Sequence, residues 1–304
     1  MTRPIAVRTL ARKWLQHRLT EIDRMRGFPA LRRRFREACE YDLNLDDPKT
    51  FSEKLQWRKV YDRNPLFPVL LDKVRMPEWA RSVLPASDHH CLPDYRQVAR
   101  LAEDIDFASL PADVALKCNH GSGWNVLLRE GEPFDEDQVR HRLNRWLARK
   151  FGKTRELHEW GYLNIPPRIA VHDLLLFPDG RLADDLRFHV FGDRFGFSHI
   201  RSLDSRGVRR VGHYDENYRM LDVRSHRPPP DLPSPKPAQF DDMLRIARAL
   251  GQHLDYMRVD FLSTGDRFCL NEITLYHNSG LIPFLPHEFE QQIGALWQLP
   301  PRQG

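Results

Sequence analysis

Two short segments near the carboxyl end constrain the fold more than any other feature of the sequence. Residues 257–262 and 267–273 are rich in apolar and β-branched side chains, and the turn-forming stretch 263–266 (Ser-Thr-Gly-Asp) separates them. This pattern predicts two neighbouring antiparallel strands joined by a tight connection. We therefore expect the chain to contain an antiparallel sheet near this end.

Charged side chains occur at matching places in these two segments. Alternate side chains of a strand share a face, so Arg258 and Asp260 lie together, as do Glu272 and Thr274, while Asn271 points to the opposite face. We expect Asp260 and Glu272 to come close, and adjacent carboxylates repel unless a cation intervenes. Magnesium fits because it takes hard oxygen ligands. The alternative is a structural Arg258–Asp260 ion pair with a surface Glu272.

A lysine inside an apolar segment is the second unusual feature. Residues 114–118 predict a short strand, and the loop 119–123 (Asn-His-Gly-Ser-Gly) follows it. The ammonium of Lys117 is costly to bury unless it reaches solvent or a partner. Small residues after it let backbone N–H groups approach an anion closely. The combination predicts a grip on nucleotide phosphates, although it matches neither the Walker loop nor GxGxxG, and an ordinary edge-strand lysine before a turn remains an alternative.

The rest of the pattern predicts helices, then a mixed region, then a mostly antiparallel sheet. Thr50 and Glu53 form a capping-box signature at the start of one helix, and six prolines in residues 227–237 predict a stiff loop. We expect an α+β fold with an inserted lobe rather than a doubly wound parallel sheet. The predicted helices cover residues 7–41 with a break at 27–29, 51–57, 135–150 and 238–254, and further strands cover 168–177, 186–192 and 195–202.

Composition favours a soluble protein of the cytoplasm. No run approaches the roughly 18 apolar residues of a membrane-spanning helix, and the four cysteines are scattered without metal or disulfide spacing. The net charge of +5 is uneven, because residues 1–40 carry eleven basic against four acidic residues. A basic helix there is either a solvated face or a peripheral contact with anionic lipid of a membrane, with nucleic acid or with a polyanionic substrate.

Taken together, the motifs resemble the TupA-like family of the ATP-grasp superfamily, which is linked to teichuronopeptide and other surface-polysaccharide biosynthesis. The matching segments occur in the family's order and span roughly residues 45 to 285. They are 47–57 (DPKTFSEKLQW), 72–73 (DK), 116–123 (LKCNHGSG), 167–169 (PRI), 185–188 (DLRF) and 258–261 (RVDF).

The resemblance implies a fold, a division into lobes and a cofactor set. It implies an ATP-grasp fold with an N-terminal helical extension, an inserted nucleotide-binding lobe and a C-terminal antiparallel sheet lobe, using ATP and Mg²⁺. The expected boundaries are 1–45 for the basic extension, 46–110 for an N-terminal lobe, 111–176 for the phosphate-loop lobe and 177–304 for the metal-site lobe.

The resemblance also implies a role for each matching residue. ATP would contact two lysines, the glycine loop and the hinge: Lys73, Lys117, His120, Gly121, Ser122, Gly123, His172 and Asp173. Asp260, Glu272 and Thr274 would bind the metal, and Arg187 and Arg258 would act on phosphate or an anionic intermediate. Asp185, which is placed to orient Arg187, and the loop residues His277 and Asn278 would contact the substrate.

The chain departs from the usual ATP-grasp pattern in three places. His172-Asp173 stands where a Glu-Lys or similar pair contacts adenine. Trp124 follows the loop in place of another glycine, which predicts a stiffer loop or one that stacks on a neighbour. Thr274 stands two residues after Glu272, where an asparagine is the usual third metal ligand.

The resemblance implies an ATP-dependent carboxylate–amine ligase that forms an amide through an acylphosphate on a cell-surface polysaccharide or its precursor. It also implies that the basic N-terminal helices contact an anionic glycan, a polysaccharide-assembly partner or the inner face of the membrane. One alternative is a glycosyltransferase of the same pathway, since Asp104-Ile105-Asp106 has the spacing of a DxD motif. Another is a catalytically weak nucleotide-binding scaffold, to which the three departures point. No pattern predicts a specific nucleic-acid partner.

Overall fold

The computed structural model describes residues 23–152, 157–203 and 208–302. Seven α-helices are present in this part of the chain: α1 Pro29–Cys39, α2 Phe51–Tyr61, α3 Phe67–Leu70, α4 Met76–Val83, α5 Glu136–Leu147, α6 Phe240–Gly251 and α7 His287–Leu296. Short 3-10 helices lie at Ala86–Cys91, Ala102–Asp104, Phe107–Ser109, Trp160–Tyr162 and His277–Gly280.

Nine strands form two sheets in the described residues. The small sheet has the order β1-β4-β2-β3 and contains β1 Gln97–Ala99, β2 Val114–Cys118, β3 Asn125–Leu128 and β4 Ile169–Asp173. The large sheet has the order β7-β6-β5-β8-β9 and contains β5 Asp184–Phe191, β6 Arg194–Leu203, β7 Arg209–Tyr214, β8 Met257–Ser263 and β9 Phe268–Thr274. Every pairing is antiparallel, which confirms the predicted α+β class.

Each sheet has its own hydrophobic core. In the small sheet, Leu116 and Cys118 of β2 pack with Val139 and Leu143 of α5. In the large sheet, apolar residues of β5 and β8 pack against α6, with Phe188, Phe261 and Phe240 fully buried. Strand alternation then leaves the other face of each sheet for polar side chains. Lys117 of β2 is on the face away from α5.

Most predicted elements are confirmed, some with shorter and some with longer bounds. The strand predicted at 168–177 ends at Asp173, because β4 has no ladder partner beyond Val114↔Asp173 on β2. The helix predicted at 238–254 covers Phe240–Gly251, and the proline-rich stretch before it contains no regular element. The predicted capping box is present, since Thr50 accepts from the Glu53 amide and the Glu53 side chain accepts from the Thr50 amide.

The N-terminal extension is described only in part. The first half of the predicted basic helix lies outside the described residues, while α1 confirms the second half. No described helix combines the length and apolar character needed to cross a membrane. The expected lobe boundaries stay predictions; β1, which precedes residue 110, nevertheless pairs with β4 of the small sheet.

Candidate functional site

One face of the large sheet carries a row of polar side chains, one from each of its five strands. Directly paired positions across β7, β6, β5, β8 and β9 hold His213, His199, Arg187, Asp260 and Glu272. All except Glu272 are buried. Paired residues of adjacent strands lie about 5 Å apart, so these five side chains form one continuous surface, called the polar row below.

The Asp260 carboxylate lies between two arginines. Arg258, two residues earlier on the same strand, donates to both carboxylate oxygens at 2.7 and 2.5 Å. Arg187, opposite on β5, approaches to 3.7 Å. Two hydrogen bonds of 2.9 and 2.5 Å from its guanidinium to Asp185 fix the position of Arg187. The paired carboxylate and arginines are therefore held rigidly in the middle of the polar row.

A β-bulge changes the prediction for Asn271. The pairing of β8 with β9 shifts register directly after Asp260 and Glu272, which leaves one residue of β9 unmatched. A bulge re-aims the side chain that it inserts. The Asn271 Oδ1 accepts a hydrogen bond from Lys117 Nζ at 2.8 Å. The expectation that Asn271 faces away from the site is therefore wrong, and its amide lies beside Glu272.

The oxygen atoms around Glu272 would hold magnesium only together with phosphate oxygens of a nucleotide, and magnesium binding stays a prediction. Glu272 meets Lys73 at 3.3 Å and Arg258 at 3.7 Å, which are ion-pair rather than close hydrogen-bond distances. Thr274 Oγ1 accepts from Arg258 at 2.9 Å, so its hydroxyl is already engaged. No three His, Cys, Asp or Glu residues of the described chain could hold a metal by themselves. Magnesium commonly uses one or two carboxylates and completes its shell with phosphate oxygens and water.

Burial and neighbouring charges set the ionisation of this end of the polar row. Burial opposes ionisation of Glu272, but nearby cations, foremost Lys73, outweigh it and hold its pKa at about 2. Burial raises the pKa of Asp260, and its two arginines oppose the rise. Burial lowers the pKa of Lys117 to about 8, with Glu272 opposing the shift. Glu272 is thus anionic and Lys117 mostly cationic at neutral pH.

The glycine loop after β2 is closed over Lys73. The Lys73 Nζ donates to the Gly121 carbonyl at 2.8 Å. Trp124 packs edge-on against Phe151 at 5.5 Å and against His120 at 5.1 Å and stacks on neither ring, while the stiffer loop stays a prediction. A Cβ on Gly121 would lie 2.6 Å from the Trp124 ring. Only glycine fits there, while the following Ser122 and Gly123 are exposed.

Asn119 joins three of the segments that match the family pattern. Its side-chain amide donates to Asp72 at 2.7 Å and to the Pro166 carbonyl at 3.0 Å. Its side-chain oxygen accepts from the Arg168 backbone at 2.7 Å. Because Asp72 precedes Lys73, this single buried side chain fixes the position of Lys73 relative to the glycine loop.

The predicted hinge residues face different surroundings. His172 pairs with Ala115 across the small sheet, and burial lowers its pKa to about 4, with Lys117 also lowering it. Asp173 is exposed and forms two hydrogen bonds with Arg96, at 2.9 and 2.6 Å. His172 is therefore a neutral side chain near Lys117, and contact of either residue with adenine stays a prediction.

The predicted substrate loop is hydrogen-bonded directly to strand β8. Arg258 Nη1 donates to His277 Nδ1 at 2.7 Å. An arginine is an obligatory donor, so Nδ1 accepts and neutral His277 carries its proton on Nε2. That nitrogen lies 3.0 Å from Asn278 Nδ2, and the two side chains form a hydrogen bond when the amide is turned so that its oxygen accepts. Arg258 thereby links Asp260 on one side to the loop on the other.

Helix α2 holds this loop in an unfavourable backbone conformation. Asn278, Ser279 and Gly280 have φ values of 47°, 58° and 62°, and left-handed conformations cost energy for residues other than glycine. Gln56 donates to the carbonyls of Ser279 and Gly280 at 3.0 and 2.7 Å. Lys59 donates to the Ser279 carbonyl at 2.8 Å. The segment 47–57 thus contributes to the site from a distance, through Gln56.

Sequence reasoning missed several residues that the structure brings to the site. The sequence places Asn271 on the wrong face and Gln56 inside a predicted helix, while Lys59 lies beyond the predicted end of that helix at residue 57. The sequence does not predict the cluster of histidines on β5, β6 and β7. The alternation of its members along the strands, as for residues on one face, is the signal that could have found it. The missed residues are Gln56, Lys59, His189, His199, Arg201, His213 and Asn271.

Solved structures of the same general fold are only distantly similar. A RimK domain ATP-grasp protein from Sphaerobacter thermophilus has a TM-score of 0.42 and 12% identity over 81% of this chain and 78% of that one. The ATP-grasp ligase PsnB with its minimal precursor has 0.39 and 14%, over 70% and 53%. D-alanine–D-alanine ligase from Bacillus anthracis with ATP has 0.38 and 13%, over 68% and 55%. The chain thus spans about half the length of PsnB and of the D-alanine ligase.

A family model gives the assignment that these distant likenesses do not. No curated protein matches the chain. The model described as TupA-like ATPgrasp matches residues 53–298, which include both sheets, the glycine loop and the whole polar row. The chain belongs to the TupA-like ATP-grasp family.

Proposed function

We propose that the protein is an ATP-dependent carboxylate–amine ligase. The observation that carries this proposal is the meeting of two lysines from separate elements with neighbouring residues of β9: Lys117 donates to the Asn271 amide oxygen at 2.8 Å, and Lys73 reaches the Glu272 carboxylate at 3.3 Å. This arrangement of lysines opposite carboxylates suits a magnesium nucleotide. The lysines would bind its phosphates, and the carboxylates would bind its magnesium.

The phosphate groups would lie between the small and the large sheet. Lys73 and Lys117 would neutralise phosphate oxygens, and the loop His120 to Gly123 would cover them with its backbone N–H groups. The adenine would extend toward His172 and Asp173 on β4. Asp260, Glu272 and the nearby Thr274 would hold the magnesium, which supplies charge neutralisation when bound. The Asn271 side-chain oxygen would be a further metal ligand if the Lys117 ammonium leaves it and binds phosphate.

Arg187 of the polar row and the neighbouring Arg258 on β8 would position the carboxylate substrate. Held by Arg187 and Arg258, a carboxylate oxygen forms a bond to the γ-phosphorus while the bond to the β–γ bridging oxygen breaks, which releases ADP. An amine nitrogen then attacks the acyl carbon, phosphate leaves, and the nitrogen loses a proton to solvent. The protein contributes position and charge rather than a covalent intermediate. His277 and Asn278 border the acceptor, and Asp185 keeps Arg187 in place.

The substrate class of the proposal is a carboxylate on a cell-surface polysaccharide or its precursor. The excess of basic residues in positions 1–40 supports an anionic partner, a glycan or the inner face of the membrane. Most of that segment lies outside the described residues. PsnB, which is similar in fold, is known in complex with a precursor peptide, so a peptide carboxylate belongs in the same substrate panel.

A nucleotide-binding scaffold is the second candidate function. The closed glycine loop beneath Trp124 and the full pairing of Asp260 with arginines favour it, because both must rearrange before turnover. The glycosyltransferase alternative gains no such support. Asp104 caps a 3-10 turn by accepting from the Leu101 amide at 3.1 Å, and Asp106 lies on the small-sheet side of the molecule rather than on the polar row.

One assay separates these candidates. The protein is incubated with Mg-ATP, a panel of uronic acids and peptides, and a panel of amines, and ADP and phosphate are measured. Acceptor-dependent ADP release supports the ligase. Mg-ATP binding without turnover across the panels favours the scaffold, and binding of a sugar nucleotide in preference to ATP favours the transferase.

A further inference from the structure

The histidine end of the polar row opens into a narrow cleft that shares only His277 and Asn278 with the proposed acceptor site. The cleft lies between β6, β7 and the chain segments around residues 225 and 277. Its polar lining consists of His199, Arg201, His213, Ser225, His226, His277 and Asn278. Its void is of about water size. It admits the end of a polar group rather than a sugar ring.

Two side chains of this cleft have nitrogen atoms without hydrogen-bond partners in the described structure. Neither ring nitrogen of His213 makes a hydrogen bond, although only 1% of the residue is exposed. The Val223 backbone lies close enough to favour its protonated form, but burial outweighs this and lowers the pKa of His213 to about 4. The Arg201 Nε is likewise buried and unpaired. Buried polar atoms normally have partners, so these atoms are suited to a group that brings a hydrogen-bond acceptor into the cleft.

Among the described residues, Arg201 has no carboxylate of its own. It reaches Asp185 at 3.9 Å, and that carboxylate is already engaged by Arg187 through two hydrogen bonds. Burial, together with Arg187, lowers the pKa of Arg201 to about 10. An arginine in this position remains charged at neutral pH, and its charge is incompletely compensated.

The cleft is continuous with the proposed reaction centre. His277 lines it and accepts a hydrogen bond from Arg258, while His199 pairs directly with Arg187 across the strands. A substrate whose reacting carboxylate lies at Arg187 and Arg258 therefore has the cleft within reach of a second group.

We propose that this cleft is a second anion subsite, in which Arg201, His213 and His199 bind a carboxylate of the acceptor other than the one that reacts. The inference rests on the proposed ligase function and adds that the acceptor carries two acidic groups. The neutral imidazoles donate hydrogen bonds, and Arg201 supplies the charge.

Titration of simple carboxylates in the presence of saturating Mg-ADP tests the subsite. The probes are malonate, succinate and glutarate, each compared with acetate, propionate and butyrate. At least one dicarboxylate is expected to bind about tenfold more tightly than its monocarboxylate counterpart, as expected for one charge-assisted hydrogen-bonded pair. Arg201→Gln should remove this preference, and Arg201→Lys should keep part of it. Exposed Arg181, which pairs with Asp179 in a turn, provides the control Arg181→Gln, which should behave like the wild type.

Two results would overturn the proposal: equal or absent binding of both classes of carboxylate by the wild type, or an unchanged preference in Arg201→Gln. Should Arg201→Gln unfold, His213→Phe is the second variant, with the same expected loss of preference. Separate Mg-ATP and Mg-ADP titrations report on the proposed function. Nucleotide binding without a dicarboxylate preference rejects only the subsite, whereas absence of nucleotide binding rejects the ligase.

Discussion

The two ends of the polar row differ in charge, exposure and saturation of hydrogen bonds. At the β9 end, Glu272 is partly exposed and meets its cations at 3.3 and 3.7 Å. At the β7 end, His213 is buried, neutral and without hydrogen bonds in the described structure. The β9 end is suited to a ligand with its own charge and metal. The β7 end is suited to a group that brings hydrogen-bond acceptors into a buried cleft.

This contrast changes which residue best tests the metal site. Asp260 is fully buried between two arginines, so Asp260→Asn would leave the buried Arg258 guanidinium without its hydrogen-bonded counter-charge. We expect it to lower the free energy of unfolding by about 3–5 kcal/mol. A loss of activity in that variant would then report on folding as well as on chemistry.

Glu272→Gln should have the largest effect on activity, together with some loss of stability because Lys73 and Arg258 lose an ion-pair partner. Loss of one carboxylate from the metal site is expected to lower acceptor-dependent ADP release about a thousandfold, since metal stabilisation of transition-state charge is worth several kcal/mol. ADP release is compared with urea unfolding in the same preparation. Exposed Glu78→Gln is the control and should match the wild type. Near-normal turnover in Glu272→Gln would remove Glu272 from the metal site.

Lys117→Met should weaken nucleotide binding while stabilising the free protein. Loss of a charged contact to phosphate is expected to lower Mg-ATP affinity about ten- to a hundredfold. The folded-state pKa of Lys117, about 8, is below its ordinary value. Between about pH 8 and 10.5 the unfolded chain therefore binds more protons than the folded chain. The buried ammonium of Lys117 lowers the free energy of unfolding by its full amount below pH 8. The urea midpoint at pH 7 should rise or stay constant, and a clear fall would indicate a structural role. Exposed Lys150→Met is the control.

Lys59→Met should affect only the acceptor side of the site. Lys59 supports the left-handed loop through the Ser279 carbonyl, so its loss is expected to raise the KM for the carboxylate about tenfold, the effect of one charged hydrogen bond. The affinity for Mg-ATP should stay constant. Initial rates at varied acceptor and at varied ATP separate the two, with exposed Lys49→Met as the control. An equal loss on both sides would mean that α2 supports the whole fold rather than the loop.

The smallest expected effect is a pH dependence of nucleotide binding. Lys117 loses its proton as the pH rises through about 8, so Mg-ATP affinity should fall roughly fourfold between pH 7 and 8.5. Lys117→Arg keeps its charge over this range and should bind with little dependence on pH. Calorimetric titrations at the two pH values check this. An identical pH dependence in both proteins would assign it to another group.

The β9 end of the site was largely predictable from the sequence. Strand alternation and the Gly-Asp turn placed Asp260 opposite Glu272, and an apolar strand made Lys117 conspicuous. The orientation of Asn271 was not predictable, because a bulge depends on the pairing of two strands. The side-chain pattern of the strands does not encode that pairing. A one-residue change of register exchanges the two faces of a strand.

The β7 end was not predictable for a different reason. His189, His199 and His213 become neighbours only when β5, β6 and β7 pair in one register, and isolated histidines on apolar strands give no local signal. The role of α2 depends on contacts across more than 200 residues, such as Gln56 with Gly280. The family pattern marked the segment 47–57 without showing what it supports.

The central claim is that one Mg-ATP binds where the small sheet faces the polar row. Calorimetric titration of Mg-ATP into the wild type and into the double variant Lys73→Met/Lys117→Met tests it most directly, with Lys49→Met/Lys150→Met as the matched control. The account predicts one site per chain in the wild type and in the control, and no measurable binding by the folded double variant. Absence of binding by the wild type, or wild-type affinity in the double variant, would contradict it.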